Sequence, residues 1–246
     1  MNIITSKTNN VVKKAKKLHQ KKYRTESYLI EGWHLFEEAL SSGADIVSIF
    51  ALSDYADKLV GFDQVNWLSQ DLLKDLADSK TPQGIVAEVK LQQEVLPDKL
   101  SGKYLFLEDV QDPGNLGTII RTADAAGFDG VFISKHSADL YNLKTLRSMQ
   151  GSHFHLPIYR LTTADLIDLA KKSDLPILAS TLSNNSVDYQ TLKGTPNFVL
   201  VMGNEGQGIS SMIASAADRL VHIPMKGQAE SLNVAVAAGI LIFHLS

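Results

Sequence analysis

The 246-residue chain contains no cysteine. That absence removes disulfides and thiolate-bound metals from the argument. Its seven histidines show no ligand-like spacing, and His153 and His155 read instead as alternating positions of a strand, so no metal is expected. No apolar run approaches the roughly 20 residues that span a bilayer. The opening MNIITSKTNN has no signal-peptide-like apolar core, which makes a cytoplasmic protein without membrane contact the expectation. Acidic residues are missing altogether from positions 1–25. That stretch instead holds Lys7, Lys13, Lys14, Lys16, Lys17, Lys21, Lys22 and Arg24, a charge of +8 against −11 over the remaining chain and −3 overall. Segregation of this kind points to one segment that meets a polyanion, nucleic acid above all, rather than to a uniformly charged surface. The bland alternative is a solvated basic helix, since Val11, Val12, Ala15 and Leu18 form an apolar stripe among the lysines.

Length and composition suit a soluble globular chain with one large or two modest cores. Tyr28–Ile30, Ile46–Ala51 and Gly84–Val89 read as strands. Trp33–Leu40, Ala56–Val60 and Leu72–Ala77 read as helical turns, which together make an α/β unit of about 90 residues. Gln92–Gly102 is polar, carries Pro97 and Gly102, and is the best linker candidate. From Tyr104 the alternation becomes regular, with strands at 104–110, 131–134, 155–159, 176–181, 198–202 and 220–223. Helices are expected between them at 116–126, 142–150 and 164–172, and at the end over 232–245. Such alternation predicts a mainly parallel sheet covered on both faces.

The last fifty residues organise the site. The runs Phe198–Met202 and Leu220–Ile223 have the length and branching of buried strands, and each ends in a turn rich in Gly or Pro. In open α/β sheets ligands sit outside the carboxyl ends of such strands, which places a site at 203–208, 223–227 and 231–233. Gly203, Gly206 and Gly208 follow neither the dinucleotide fingerprint nor the P-loop pattern, and tight turning alone would explain them. Glu205, Ser231 and Asn233 add polar groups where glycine allows close backbone approach. Upstream, Asn115 stands where a helix N-cap is expected, and Arg121 lies six residues on among apolar neighbours. Arg121 is either half of an ion pair with Glu108 or Asp109, or a guanidinium aimed at a phosphate or ribose.

These segments resemble, in order, the three motifs of the SpoU family of knotted (SPOUT) RNA methyltransferases. The first is Asn115-Leu116-Gly117 with Arg121-Thr122-Ala123, and the second is Met202-Gly203-Asn204-Glu205-Gly206-Gln207-Gly208. The third is Ile223-Pro224-Met225 with Ser231-Leu232-Asn233 and the small residues that follow. The N-terminal part, with Tyr28-Leu29-Ile30-Glu31-Gly32 and Glu37-Glu38-Ala39-Leu40, is similar to the small substrate-binding domain of these enzymes. The resemblance implies an RNA-binding domain over residues 1–95 and a methyltransferase domain over 101–246 whose C-terminal segment forms a deep trefoil knot. General topology would not suggest a knot. It also implies a homodimer, with S-adenosylmethionine held by Gly203, Ile223 and Leu232 and bordered by Thr181.

The reaction implied is methylation of a ribose 2′-hydroxyl of RNA, with large-subunit rRNA the favoured substrate and tRNA the alternative. Asn115, Arg121, Glu205, Ser231 and Asn233 would form the catalytic set, and Lys13, Lys14, Lys17, Lys21, Lys22 and Arg24 would contact the RNA. A non-catalytic RNA-binding protein of the same fold would share the basic N-terminus, but would have no need of the intact catalytic set. An enzyme using a nicotinamide or ATP wants a glycine-rich loop after its first strand. Here Asp109-Val110-Gln111-Asp112-Pro113-Gly114 would turn two acids on a pyrophosphate.

Overall fold

The computed structural model describes residues 2–77, 79, 81–92, 95–192, 194 and 196–246. Residues 93 and 94 of the expected linker lie outside them. The chain divides into two compact units, Met1–Gln93 with Tyr141–Phe154, and Glu94–Leu140 with His155–Ser246.

The first unit runs β1 (Ile3–Ile4), α1 (Asn10–Lys17), β2 (Ser27–Glu31), α2 (Trp33–Ser41), β3 (Ile46–Ala51), β4 (Val65–Leu68), α3 (Gln70–Ala77) and β5 (Ile85–Lys90). Its sheet has the order β1-β4-β3-β5-β2, with β1, β4 and β3 parallel and β5 antiparallel to both of its neighbours. Asn9 starts α1 by accepting from the N–H groups of Val11 and Val12, which satisfies donors that the first turn leaves without partners. Val12, Ala15 and Leu18 are buried, whereas Val11, expected in the same stripe, faces solvent.

The second unit contains β6 (Lys103–Leu107), α4 (Pro113–Ala125) and β7 (Gly130–Ile133). The chain then passes through α5 (Leu143–Met149), which clusters with the first unit. It continues with β8 (Ile158–Arg160), α6 (Thr163–Ser173), β9 (Ile177–Ser180), β10 (Val187–Asp188), β11 (Phe198–Met202), α7 (Ser211–Ala216), β12 (Arg219–His222) and α8 (Val234–Leu245). The sheet order is β10-β12-β9-β11-β6-β7-β8, and every recorded pair in it is parallel. The expected α/β class stands.

Parallel strands are covered on both sides, and the burial shows it. Tyr104, Phe106, Phe132, Ile177, Val199 and Val201 pack with Leu166 and Ala170 of α6 and Ile213 of α7. The alternate positions Leu105, Leu107, Val131, Ile133 and Leu200 point to the opposite face and are equally buried. On that opposite side α4 packs on β7, α8 packs on β11, and the two helices pack on each other. Gly239 lets α8 approach until a β-carbon built there would stand 4.0 Å from Thr122 Cγ2.

One expected strand is corrected. Residues 155–157 are not extended, the strand begins at Ile158, and Ser152–Phe154 form a 3-10 turn. Gly151, at φ +97°, breaks the extension, and His153 is held by the Tyr28 hydroxyl at 3.0 Å. The alternation of His153 and His155 therefore has no strand meaning.

The route of the chain positions the site. From β6 it steps outward to β7 and β8, then crosses to β9 on the other side, leaving room that β11 later fills between β6 and β9. At such a reversal the loops leaving the strands diverge and open a crevice. The carboxyl ends of β9, β11 and β12 surround it.

Candidate functional site

The loop after β11 is closed by its own backbone. Asn204 and Gly208 exchange N–H to carbonyl bonds of 3.0 Å each. The Asn204 side-chain oxygen accepts from Gly206 and Gln207, and its amide donates to the Asp109 carbonyl at 2.8 Å. A β-carbon on Gly203 would stand 2.2 Å from the Gly208 carbonyl carbon, so only glycine fits at this closure. The bond to Asp109 ties this loop to the one after β6, where Asp109 itself adopts a left-handed φ of +57°. Glu108, almost fully buried, accepts from Thr163 Oγ1 and from the Ser210 N–H and hydroxyl, which anchors the starts of α6 and α7 to the end of β6.

Asn115 does not cap α4. Asp112 does, accepting from the Asn115 N–H at 2.9 Å, with Pro113 in the first turn where its missing N–H costs nothing. The Asn115 side chain is thereby released for another use. Its amide donates to Glu205 Oε1 at 3.1 Å, and its oxygen accepts from the Asn233 amide at 3.1 Å. Glu205 also accepts from the N–H groups of Asp112 and Gln111 at 3.0 and 3.1 Å. Asn233 caps α8 through its oxygen, which accepts from Ala235 and Val236. A relay Glu205–Asn115–Asn233 thus joins the three loops, and the acceptor-only carboxylate sets the orientation of both amides. Partial burial pushes the Glu205 carboxyl up, but the two backbone donors and the Asn115 amide outweigh it and hold the pKa below its ordinary value.

Beside this relay lies a cleft of about 380 Å³. Thr181, Gly203, Ile223 and Leu232 all line it, together with Glu205 and Ser231. Asn204 and Met225, inside the expected loops, line it as well, and so do Leu182 and Ser183, which were not expected from the sequence. Leu182 and Ser183 sit in a loop after β9 that carries no local signature. Among the described residues no group of three or more His, Asp or Glu is placed to hold a metal ion, and no helix is long and apolar enough to cross a membrane.

Arg121 is not part of the relay. It is exposed on α4, about 9 Å further along the helix axis than Asn115 and roughly 120° around it, by the rise and turn of an α-helix. Neither of its expected carboxylate partners takes it, since Glu108 is bound as above and Asp109 Oδ1 accepts from Ser134 Oγ. Among the described residues Arg121 makes no ion pair. Lys13, Lys14 and Lys17 are exposed on α1, Lys21 and Lys22 on the short turn after it, and Arg24 is half-buried. Lys17 and Lys22 stand 5.6 and 4.9 Å from the centre of the exposed Tyr23 ring, an aromatic that the charge count alone did not single out.

Comparison with known proteins completes the site. The SpoU rRNA Methylase family matches residues 102–243, and the MRM3-like substrate binding domain matches residues 9–87. The 23S rRNA (guanosine(2553)-2′-O)-methyltransferase RlmP of Bacillus subtilis is 43% identical, covering 100% of this chain and 99% of its own. Among solved structures, the AdoMet-bound rRNA methyltransferase of Sinorhizobium meliloti superposes with a TM-score of 0.90 at 34% identity, over 99% of this chain and 97% of that one. The SpoU methyltransferase AviRb of Streptomyces viridochromogenes, in complex with AdoMet, superposes with a TM-score of 0.81 at 29% identity, over 96% and 97%. The cleft and the relay both lie within the matched span, and by that match the chain belongs to the SpoU rRNA methylase family.

Proposed function

We infer that this chain modifies large-subunit rRNA and that the cleft beside the Glu205–Asn115–Asn233 relay holds its methyl donor. It is an S-adenosylmethionine-dependent RNA ribose-2′-O-methyltransferase. The relay is the observation that carries the residue-level reading, because it fixes polar groups from three loops at one edge of an apolar cleft. That cleft suits the donor. Its volume falls within the roughly 300–1,000 Å³ usual for small-molecule sites. Met202, Ile223, Leu232 and Val234 supply apolar walls, and an acid in the wall suits a cationic sulfonium where it would repel a pyrophosphate. Gly203, Ile223 and Leu232 would hold the adenosine part, with Thr181 at the border. When bound, S-adenosylmethionine supplies an electrophilic methyl group.

The chain's own residues must position and activate the ribose. A hydroxyl is a weak nucleophile, and holding it in line while favouring loss of its proton lowers the barrier. Ser231 and Asn233, at the cleft edge and at the head of α8, position the hydroxyl. Arg121, exposed and without an ion pair among the described residues, grips the target nucleotide through its phosphate. The guanidinium stays protonated near neutrality, so its contribution is orientation and stabilisation of the developing alkoxide. Lys13, Lys14, Lys17, Lys21, Lys22 and Arg24 contact the RNA from the substrate-binding domain, residues 1–95, and residues 101–246 form the methyltransferase domain, in the cytoplasm.

The same reading includes a C-terminal trefoil knot, for which the insertion of β11 between β6 and β9 and the return of α8 onto α4 are supporting observations. It also includes a homodimer. Val236 and Phe243, seven residues apart on one face of α8, are 53% and 59% exposed, as apolar groups awaiting a partner surface are. The deciding experiment incubates the protein with methyl-labelled S-adenosylmethionine and unmodified rRNA, with tRNA alongside, and digests to nucleosides. A labelled 2′-O-methyl nucleoside from rRNA supports the reading. Label on a base overturns the chemistry, label on tRNA alone overturns the substrate, and absence of both label and cofactor binding favours a non-catalytic RNA-binding protein.

A further inference from the structure

Glu31, the last residue of β2, has no part in the chemistry above, yet it is an acid whose side chain is only 4% exposed. Both of its oxygens are occupied. Oε1 accepts from Ser79 Oγ, and Oε2 accepts from Arg147 Nη1 at 2.9 Å. A buried carboxylate held in this way acts as a fixed anchor for the guanidinium. Arg147, from α5, is 39% exposed, and among the described residues its Nε and Nη2 have no hydrogen-bond partner. One arm of the fork is clamped, and the side chain as a whole stays partly exposed.

Arg147 borders a cleft of about 110 Å³ within the first unit, lined also by His19, Asn142 and Lys144 and by Leu18, Leu29, Tyr141 and Leu143. This volume has room for a tetrahedral anion, which is only a few times larger than a water. No Asp or Glu lines it. His19 has a buried Nε2 with no partner among the described residues. The cleft begins at Leu18 and His19, directly after the lysine-rich α1, within the 25 residues that carry no acid.

We propose that this cleft is a phosphate subsite for the RNA backbone, with Arg147, pre-set by Glu31, as its principal ligand and His19 and Lys144 as its other nitrogen donors. The proposal deepens the RNA-methyltransferase reading and rests on it. A guanidinium with two or more donors free matches a phosphodiester's oxygens as a fork, which an ammonium does not. It would fix the register of the RNA on the first unit without reading its sequence.

The test measures binding of the full-length protein to a large-subunit rRNA transcript between about 50 and 300 mM salt. It compares wild type, His19→Ala/Lys144→Ala, and Glu31→Gln/Arg147→Gln, the last removing both charges together so that neither is left buried alone. The expected result is roughly tenfold weaker binding at about 150 mM salt for both variants, with the slope of log affinity against log salt reduced by about 0.7–0.9 for each phosphate no longer neutralised. S-adenosylmethionine affinity stays unchanged. Unchanged affinity and slope in the variants overturn the subsite and leave the enzyme reading intact. Weaker binding with an unchanged slope means recognition of a base and overturns the phosphate assignment. A wild-type chain that binds no RNA removes the substrate reading and this inference with it. If the amide pair fails to fold, the His19/Lys144 variant decides by the same readout.

Discussion

Replacing Glu205 by Gln isolates the relay with little change of shape. Glu205 Oε1 accepts from the Asp112 N–H and the Asn115 amide, and Oε2 accepts from the Gln111 N–H. A glutamine carbonyl can take over the first pair, but its NH2 group must then face the Gln111 N–H, donor against donor. The variant loses one bond to a charged group outright and weakens two others. Bonds to charged groups contribute about 1.5–3 kcal/mol each, and the exposure of Glu205 reduces this through solvent screening. A net cost of about 1–2 kcal/mol follows. Because the Asn115 amide loses its anionic partner and Asn233 is oriented through Asn115, kcat should fall about five- to thirtyfold, at about 1.4 kcal/mol per decade.

The same carboxylate predicts a pH dependence. Its folded-state pKa lies below the ordinary value of 4.5, so the folded form releases the proton more readily than the unfolded chain. Its stabilising contribution is therefore fully present above about pH 4.5 and is lost as pH falls through the folded pKa. Thermal melts of wild type and Glu205→Gln should differ by a few degrees at pH 7, and the gap should close on acidification below about pH 4.5. Equal melting temperatures at pH 7 together with wild-type turnover would refute the assignment of Glu205 as the group that orients the relay.

Three further outcomes are expected. Arg121→Lys, tested by single-turnover methylation and by titration with S-adenosylmethionine, should lose about a hundredfold in rate while cofactor affinity stays within twofold; near-wild-type turnover would remove Arg121 from the mechanism. Gly203→Ala places a β-carbon 2.2 Å from the Gly208 carbonyl carbon, so the loop must open, and calorimetry should show at least about tenfold weaker cofactor binding, by the loss of a pre-formed site. Val236→Glu/Phe243→Glu should convert a dimer to a monomer in analytical ultracentrifugation, and a wild-type chain that sediments as a monomer would dispose of the homodimer.

Much of the fold was legible because burial on both faces leaves a local signature. Phe198–Met202 is a continuous apolar run, and its expected limits are those of β11. Val65–Leu68 escaped notice because only Leu68 of its four residues is fully buried and Asn66 interrupts the run. The Asn115 cap was misplaced although Asp112 followed by Pro113 carries the pattern of a cap and first turn. The motif Asn115-Leu116-Gly117 drew attention to the residue itself, and its position one turn inside the helix is what frees its amide for Glu205.

By itself, the sequence determined the alternation of strands and helices, the segregation of positive charge into the first 25 residues, and the glycines that a tight loop demands, because each depends on neighbours a few positions away. It could not determine which distant groups meet. Glu205 and Asn115 are 90 residues apart, Asn233 and Asn115 are 118 apart, and Glu31 and Arg147 are 116 apart. The tertiary structure alone decided these pairings. A carboxylate or amide has no periodic pattern that announces its partner, and the sheet order and the packing of α5 with the first unit bring those chain segments together.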